Sequence, residues 1–153
     1  MTILAIETSC DETSAAVMRD DKLLSNIVAS QEEHVVWGGV VPELASRAHI
    51  AKIVPVVQRA LEKSKVKVEQ LQGVAATYGP GLIGSLLVGT TFAKGIALSL
   101  DIPYLGVNHL EGHLFSASLE YPELSPPFLC LVVSGGHTLL VVVKDVGHYD
   151  ILG

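Results

Sequence analysis

Two histidines in the stretch "NHLEGH", His109 and His113, stand four residues apart. On a helix that spacing puts both imidazoles on one face, where they can reach a single metal ion. A zinc protease of the H-E-x-x-H type also needs a glutamate beside the first histidine, as general base on the metal-bound water. That place holds Leu110, and the equivalent place in the inverted pattern holds Gly112. Glu111 falls about 200° round the helix from either histidine, off the metal face. The pair is suited to binding, while the base for peptide hydrolysis is missing. An isolated pair at this spacing also occurs as buried or capping histidines, so the metal reading depends on the rest of the chain.

Two polar loops offer further chemistry. "IETSCDETS" ends one strand and turns into the next, with Asp11 and Glu12 in the turn and Ser9 and Thr13 close by. Such a turn can present backbone N–H groups to phosphates and a carboxylate to a metal or water, or it can be an ordinary polar hairpin turn. "VVSGGHT" repeats the arrangement, with Ser134, Gly135, Gly136 and His137 between two apolar strands. Paired glycines let backbone approach a ligand closely, although tight hairpins also use them for geometry alone. "GPGLIG" (79–84) nominally matches a dinucleotide-binding loop. However, Asp101 precedes the following strand rather than ending it, and Pro80 removes one N–H, so the stretch reads as a helix-packing motif.

The elements that must position these residues follow from the pattern. Segments 3–8, 13–20 and 22–30 read as three strands joined by tight turns, an antiparallel meander. Pro42 suits the first turn of a helix. Leu44, Ala48, Ala51, Val54, Val57 and Leu61 recur at helical spacing behind it, and Pro55 is expected to kink or divide that helix. A buried strand over 71–79 leads into an almost wholly apolar helix over 80–100. That helix is studded with Gly84, Ser85, Gly89, Ala93, Gly95 and Ala97 and is expected to be buried on several sides. A short strand over 102–108 delivers the histidine pair to the next helix, and strands over 126–136 and 137–146 follow, with a further strand beginning at "HYDILG".

This order predicts an α/β fold with a mixed sheet, three antiparallel strands followed by parallel strands with crossover helices. It is the layout of an actin-like (ASKHA, ribonuclease-H-like) ATPase lobe over 1–125. The segment 126–153 reads as the first strands of a second, similar lobe.

The 153 residues are 49% apolar and 17% charged, with a net charge of −6, and mean hydropathy is +0.46. That greasy balance fits a sheet buried on both faces or a surface meant for a partner. Any nucleic-acid contact needs a local patch or a second subunit; Lys52, Arg59, Lys63, Lys65 and Lys67 form the one cationic cluster, which also reads as a solvated helix face. Cys10 and Cys130 lie far apart, as reduced thiols do. With no signal peptide and no unbroken apolar run of ~20 residues, the expected location is cytoplasmic and off the membrane.

"IETSCDET", "GGVVPELASRAH", "YGPGLIGSLLVG", "NHLEGH" and "LVVSGGHT", in this order, closely resemble the TsaD (formerly Gcp) family in its bacterial form. These are tRNA N6-adenosine threonylcarbamoyltransferases, about twice this length, so the chain resembles their first half. The resemblance implies transfer of a threonylcarbamoyl group from threonylcarbamoyl-adenylate to N6 of the adenosine following the anticodon, in tRNAs reading codons that start with A. It implies His109 and His113 as ligands of one iron or zinc, with a third ligand, an aspartate, near the far C-terminus of the family. Val132, Val133, Ser134, Gly135 and Gly136 match its loop for the adenylate or ATP, and Asp11 and Glu12 its acidic residues needed for activity. Implied partners are tRNA and TsaB-like and TsaE-like proteins, with a homodimer possible and the helices at 42–64 and 80–100 as candidate TsaB contacts. By itself the chain is expected to be inactive. The alternatives are a metal-dependent O-sialoglycoprotein endopeptidase and a non-catalytic TsaB-like interaction lobe; a retained histidine pair argues against the latter.

Overall fold

The computed structural model describes residues 1–30, 41–134, 136 and 138–153. Gly38 and Gly39 of the second motif, and Gly135 and His137 of the glycine loop, lie outside the described residues. The chain divides into two compact units, Met1–His109 and Leu110–Gly153.

In the first unit β1 (Thr2–Glu7) and β2 (Thr13–Arg19) alternate buried and half-buried residues, as strands with one face on a core do. β3 (Lys22–Ala29) continues the antiparallel meander, while β4 (Gly73–Gly79) and β5 (Tyr104–Asn108) pair parallel. The sheet order is β3-β2-β1-β4-β5, the mixed sheet the element order calls for. Helices α1 (Pro42–Ser64) and α2 (Ile83–Leu100) pack on the sheet and on each other. Their common core joins Leu4, Ile6, Ala15 and Val17 of the sheet to Ile53, Val57, Ala93 and Ala97 of the helices.

Two expectations about the helices are corrected, and one of the two alternatives for Pro55 is ruled out. The buried stripe of α1 is Ala45, His49, Ile53, Val56, Val57 and Ala60. Leu44, Ala51 and Val54 of the expected stripe are exposed. Both stripes repeat at helical spacing, and periodicity cannot say which of two apolar faces meets the sheet. Pro55 does not divide α1, which runs unbroken for 23 residues. Pro55 and Ala51 both lie on the exposed side, where water can satisfy the carbonyl that loses its N–H partner. α2 is buried along a single stripe, Ser85, Leu86, Gly89, Ala93 and Ala97, while Ile83 (79% exposed), Leu87 (60%) and Leu98 (85%) face away. Among the described residues α2 is long and apolar enough to cross a membrane by length and composition alone; its inner stripe packs in the core.

Helix α3 (His109–Phe115) follows β5 directly. In the second unit β6 (Phe128–Val133), β7 (Thr138–Asp145) and β8 (His148–Ile151) form an antiparallel sheet in that order. Its small core is Leu114, Val132, Val141 and Val143. Phe115 meets Phe128 and Tyr149 edge-on at 6.1 and 6.4 Å between ring centroids. Alternate residues of β6, namely Leu129, Leu131 and Val133, are exposed.

Candidate active site

Parallel strands place their carboxyl ends side by side, and ligands of open α/β sheets bind outside those ends. Here β1, β4 and β5 end in Glu7, Gly79 and Asn108, with His109 directly after the last. Glu7 was not among the residues expected to matter. Its carboxylate accepts from the Thr77 hydroxyl at 2.5 Å, from the Ser9 backbone N–H, and lies 3.3 Å from His109 Nδ1. Burial alone raises such a carboxyl, but the hydrogen bonds from Ser9, Thr77 and His109 outweigh it and hold Glu7 below its ordinary value. The signal in the sequence was an acidic residue closing an otherwise apolar strand.

The turn between β1 and β2 is held from three sides. The Thr8 hydroxyl donates to the Ser85 carbonyl at 2.8 Å, and the Leu82 N–H donates to the Ser9 carbonyl at 2.7 Å. From α1, the fully buried His49 reaches the Cys10 carbonyl through Nε2 at 3.0 Å and the Thr13 hydroxyl through Nδ1 at 2.8 Å. A carbonyl only accepts, so Nε2 carries the hydrogen and Nδ1 accepts from Thr13. Burial pushes the His49 pKa down, against the opposing pull of the Cys10 carbonyl. The tip that results carries half-buried Asp11 and exposed Glu12, the latter accepting from the Ser30 hydroxyl at 3.0 Å. The Ser9 N–H is taken by the Glu7 carboxylate. Partial burial and the neighbouring Asp11 push the Cys10 thiol up, away from the reactive thiolate. Both cysteines are free.

"GPGLIG" is a packing motif, as its sequence context indicates. A Cβ on Gly81 would stand 2.4 Å from the Ser9 carbonyl oxygen, and one on Gly84 2.4 Å from Ser46 Oγ of α1. Asp101 takes a left-handed conformation (φ 53°) as the C-cap of α2, ahead of β5.

His109 is partly buried beside Glu7 and Ser9 in the first unit; His113, one turn on along α3, is exposed and belongs to the second. There it lines, with Leu114 and residues 128–133 of β6, an open cleft of about 380 Å³. Of the expected nucleotide loop, Val132 has its side chain in the core, Val133 is exposed, Ser134 is half-buried and Gly136 is exposed. Gly135 lies outside the described residues. Among the described residues no group of three or more metal-ligating side chains is gathered. His109 nonetheless has a feature metal-binding imidazoles share, a carboxylate against its second ring nitrogen.

The TsaD family of tRNA N6-adenosine threonylcarbamoyltransferases matches residues 22–153. Relatives named tRNA N6-adenosine threonylcarbamoyltransferase are 55% identical in Clostridioides difficile, covering 98% of this chain and 45% of the relative. They are 54% identical in Clostridium botulinum (99% and 45%) and 51% in Caldicellulosiruptor bescii (100% and 46%). The chain thus spans about half the length of the curated relatives it matches. Among solved structures, YeaZ from Pseudomonas aeruginosa superposes with a TM-score of 0.65 at 19% identity, covering 99% of this chain and 64% of that one. A ROK family protein from Streptococcus pneumoniae superposes with a TM-score of 0.53 at 18% identity, covering 98% and 48%. These likenesses show the fold to be the expected actin-like ATPase type. The five motifs, the mixed sheet that carries them and the match over residues 22–153 agree, and the chain belongs to the TsaD family.

Proposed function

We propose that this chain serves the transfer of a threonylcarbamoyl group from threonylcarbamoyl-adenylate to N6 of the adenosine following the anticodon, in tRNAs reading codons that start with A. It acts as part of an enzyme about twice its length. The observation that carries this reading is the family match, joined to the delivery of His109 at the end of β5 beside Glu7 at the end of β1. His109 and His113 would hold one iron or zinc, with further ligands from the remainder of the complete enzyme. That ion, when bound, supplies Lewis-acid polarisation of the carbonyl under attack.

The chain's own residues do the rest. The N6 amine forms a C–N bond to the carbamoyl carbon as the C–O bond to the adenylate phosphate breaks, and AMP leaves. Asp11, presented on a turn clamped by His49, Leu82 and Ser85, accepts the proton released by the amine, and Glu12 holds the acceptor beside it. Backbone groups of residues 132–136 hold the adenylate. The outer faces of α1 and α2, with Leu44, Ile50, Val54, Ile83, Leu87 and Leu98 exposed, suit a TsaB-like partner; the YeaZ likeness makes a partner of the same fold the natural candidate. TsaE-like protein and tRNA complete the set.

The test is transfer from supplied threonylcarbamoyl-adenylate to tRNA by the complete enzyme. His109→Ala, His113→Ala and Asp11→Ala should each lower turnover by at least about 100-fold. Undiminished turnover in the two histidine variants would remove the metal from the mechanism. Casein cleavage abolished by the same substitutions would restore the endopeptidase reading.

A further inference from the structure

The contact between His109 and Glu7 carries one step more. His109 Nδ1 lies 3.3 Å from Glu7 Oε2 and 3.2 Å from Ser9 Oγ. A carboxylate can only accept, so a hydrogen on Nδ1 makes this contact attractive, whereas a bare Nδ1 would set two lone pairs against each other. The nitrogen left with its lone pair is then Nε2, the one that can ligate. Glu7 is itself immobilised: the Thr77 hydroxyl donates to the same oxygen, the Ser9 N–H to the other, and its backbone ends β1 next to β4.

We infer that Glu7 is a positioning residue for His109: it selects the Nδ1–H tautomer, fixes the ring at the end of β5, and so presents Nε2 to a divalent cation. This rests on the metal reading above, and it adds a residue that the histidine spacing does not reveal. Glu7 touches neither substrate nor ion; it acts through His109. Carboxylates in this position also make the imidazole a stronger donor, so losing one typically weakens metal binding ~10–100-fold.

Cobalt(II) is the probe, titrated into the complete enzyme and followed by its visible absorption. Glu7→Ala should bind cobalt ~10–100-fold more weakly than the parent. Glu7→Gln, which keeps an acceptor oxygen without the charge, should recover most of that loss while shifting the cobalt bands. In the metal-free protein, nitrogen-15 NMR of the His109 ring should show Nδ1–H in the parent and a changed tautomer in Glu7→Ala, a difference that loss of packing alone would not produce. If His109→Ala binds cobalt as tightly as the parent, the metal reading itself falls and this inference with it. If His109→Ala loses cobalt but Glu7→Ala keeps the parent affinity, the metal reading stands and Glu7 has no positioning role. A parent ring carrying its hydrogen on Nε2, with Ser9 donating to Nδ1, would overturn the inference in the same way.

Discussion

Both helices carry apolar side chains on their inner and outer faces, the outer face of α1 mixing them with exposed Glu43, Arg47, Arg59 and Lys63, and the two faces differ in what their side chains do. Inside α2 the residues are small apart from Leu86, namely Ser85, Gly89, Ala93 and Ala97; outside stand the large Ile83, Leu87 and Leu98. Small residues let the helix backbone come close to the end of β1, where a Cβ on Gly89 would meet Thr8 Oγ1 at 2.3 Å. Inside α1 the stripe carries His49, whose two nitrogens are both used on the turn that holds Asp11. The inner faces therefore serve the site as much as the core. The outer faces have no such duty in this chain, and their size suits a surface meant for contact.

That contrast can be broken at its strongest point by His49→Ala. The variant leaves a cavity, the Thr13 hydroxyl and the Cys10 carbonyl without partners, and should lose about 4 kcal/mol in chemical denaturation. The parent should also show a pH dependence that the variant lacks. The fold favours the neutral imidazole, since burial lowers its pKa from the ordinary 6.5. Its contribution is complete above pH 6.5 and fades as the pH falls through the lowered folded value. Equal pH profiles for parent and variant would show that His49 is not held neutral.

A pair of glycines on α2 sharpens the comparison. Gly89→Ala should destabilise by about 2 kcal/mol through the clash with Thr8. Gly95→Ala, where an added Cβ meets nothing within 4 Å, should stabilise by about 0.5–1 kcal/mol as a better helix former. Thermal unfolding of the two variants reads both signs. The smallest effect belongs to the outer face: Leu87→Ser should change stability by no more than about 0.5 kcal/mol. The same variant should weaken capture of a TsaB-like partner measured by calorimetry. Unchanged affinity would take Leu87 out of that surface.

Much of this was legible beforehand. Pro42 at the start of α1 and the three-strand meander each follow from local rules of backbone geometry, and the structure agrees with them. Which face of α1 turns inward was not legible, because Leu44-Ala51-Val54 and Ala45-Ile53-Val56 are equally good helical stripes. Glu7 was overlooked for a related reason. In the sequence it stands 102 residues from His109 and 70 from Thr77, and only the parallel pairing of β1, β4 and β5 brings the three ends into hydrogen-bonding reach.

By itself the sequence determined the order of elements, the helical spacing of His109 and His113, and the five motifs that mark the family, because each depends on residues near one another in the chain. The tertiary structure alone decided that His49 clamps the Asp11 turn, that α2 keeps an apolar face outward, and that a carboxylate from β1 stands behind His109. Those are contacts between distant segments, set by sheet register and close packing, and local pattern carries no information about them.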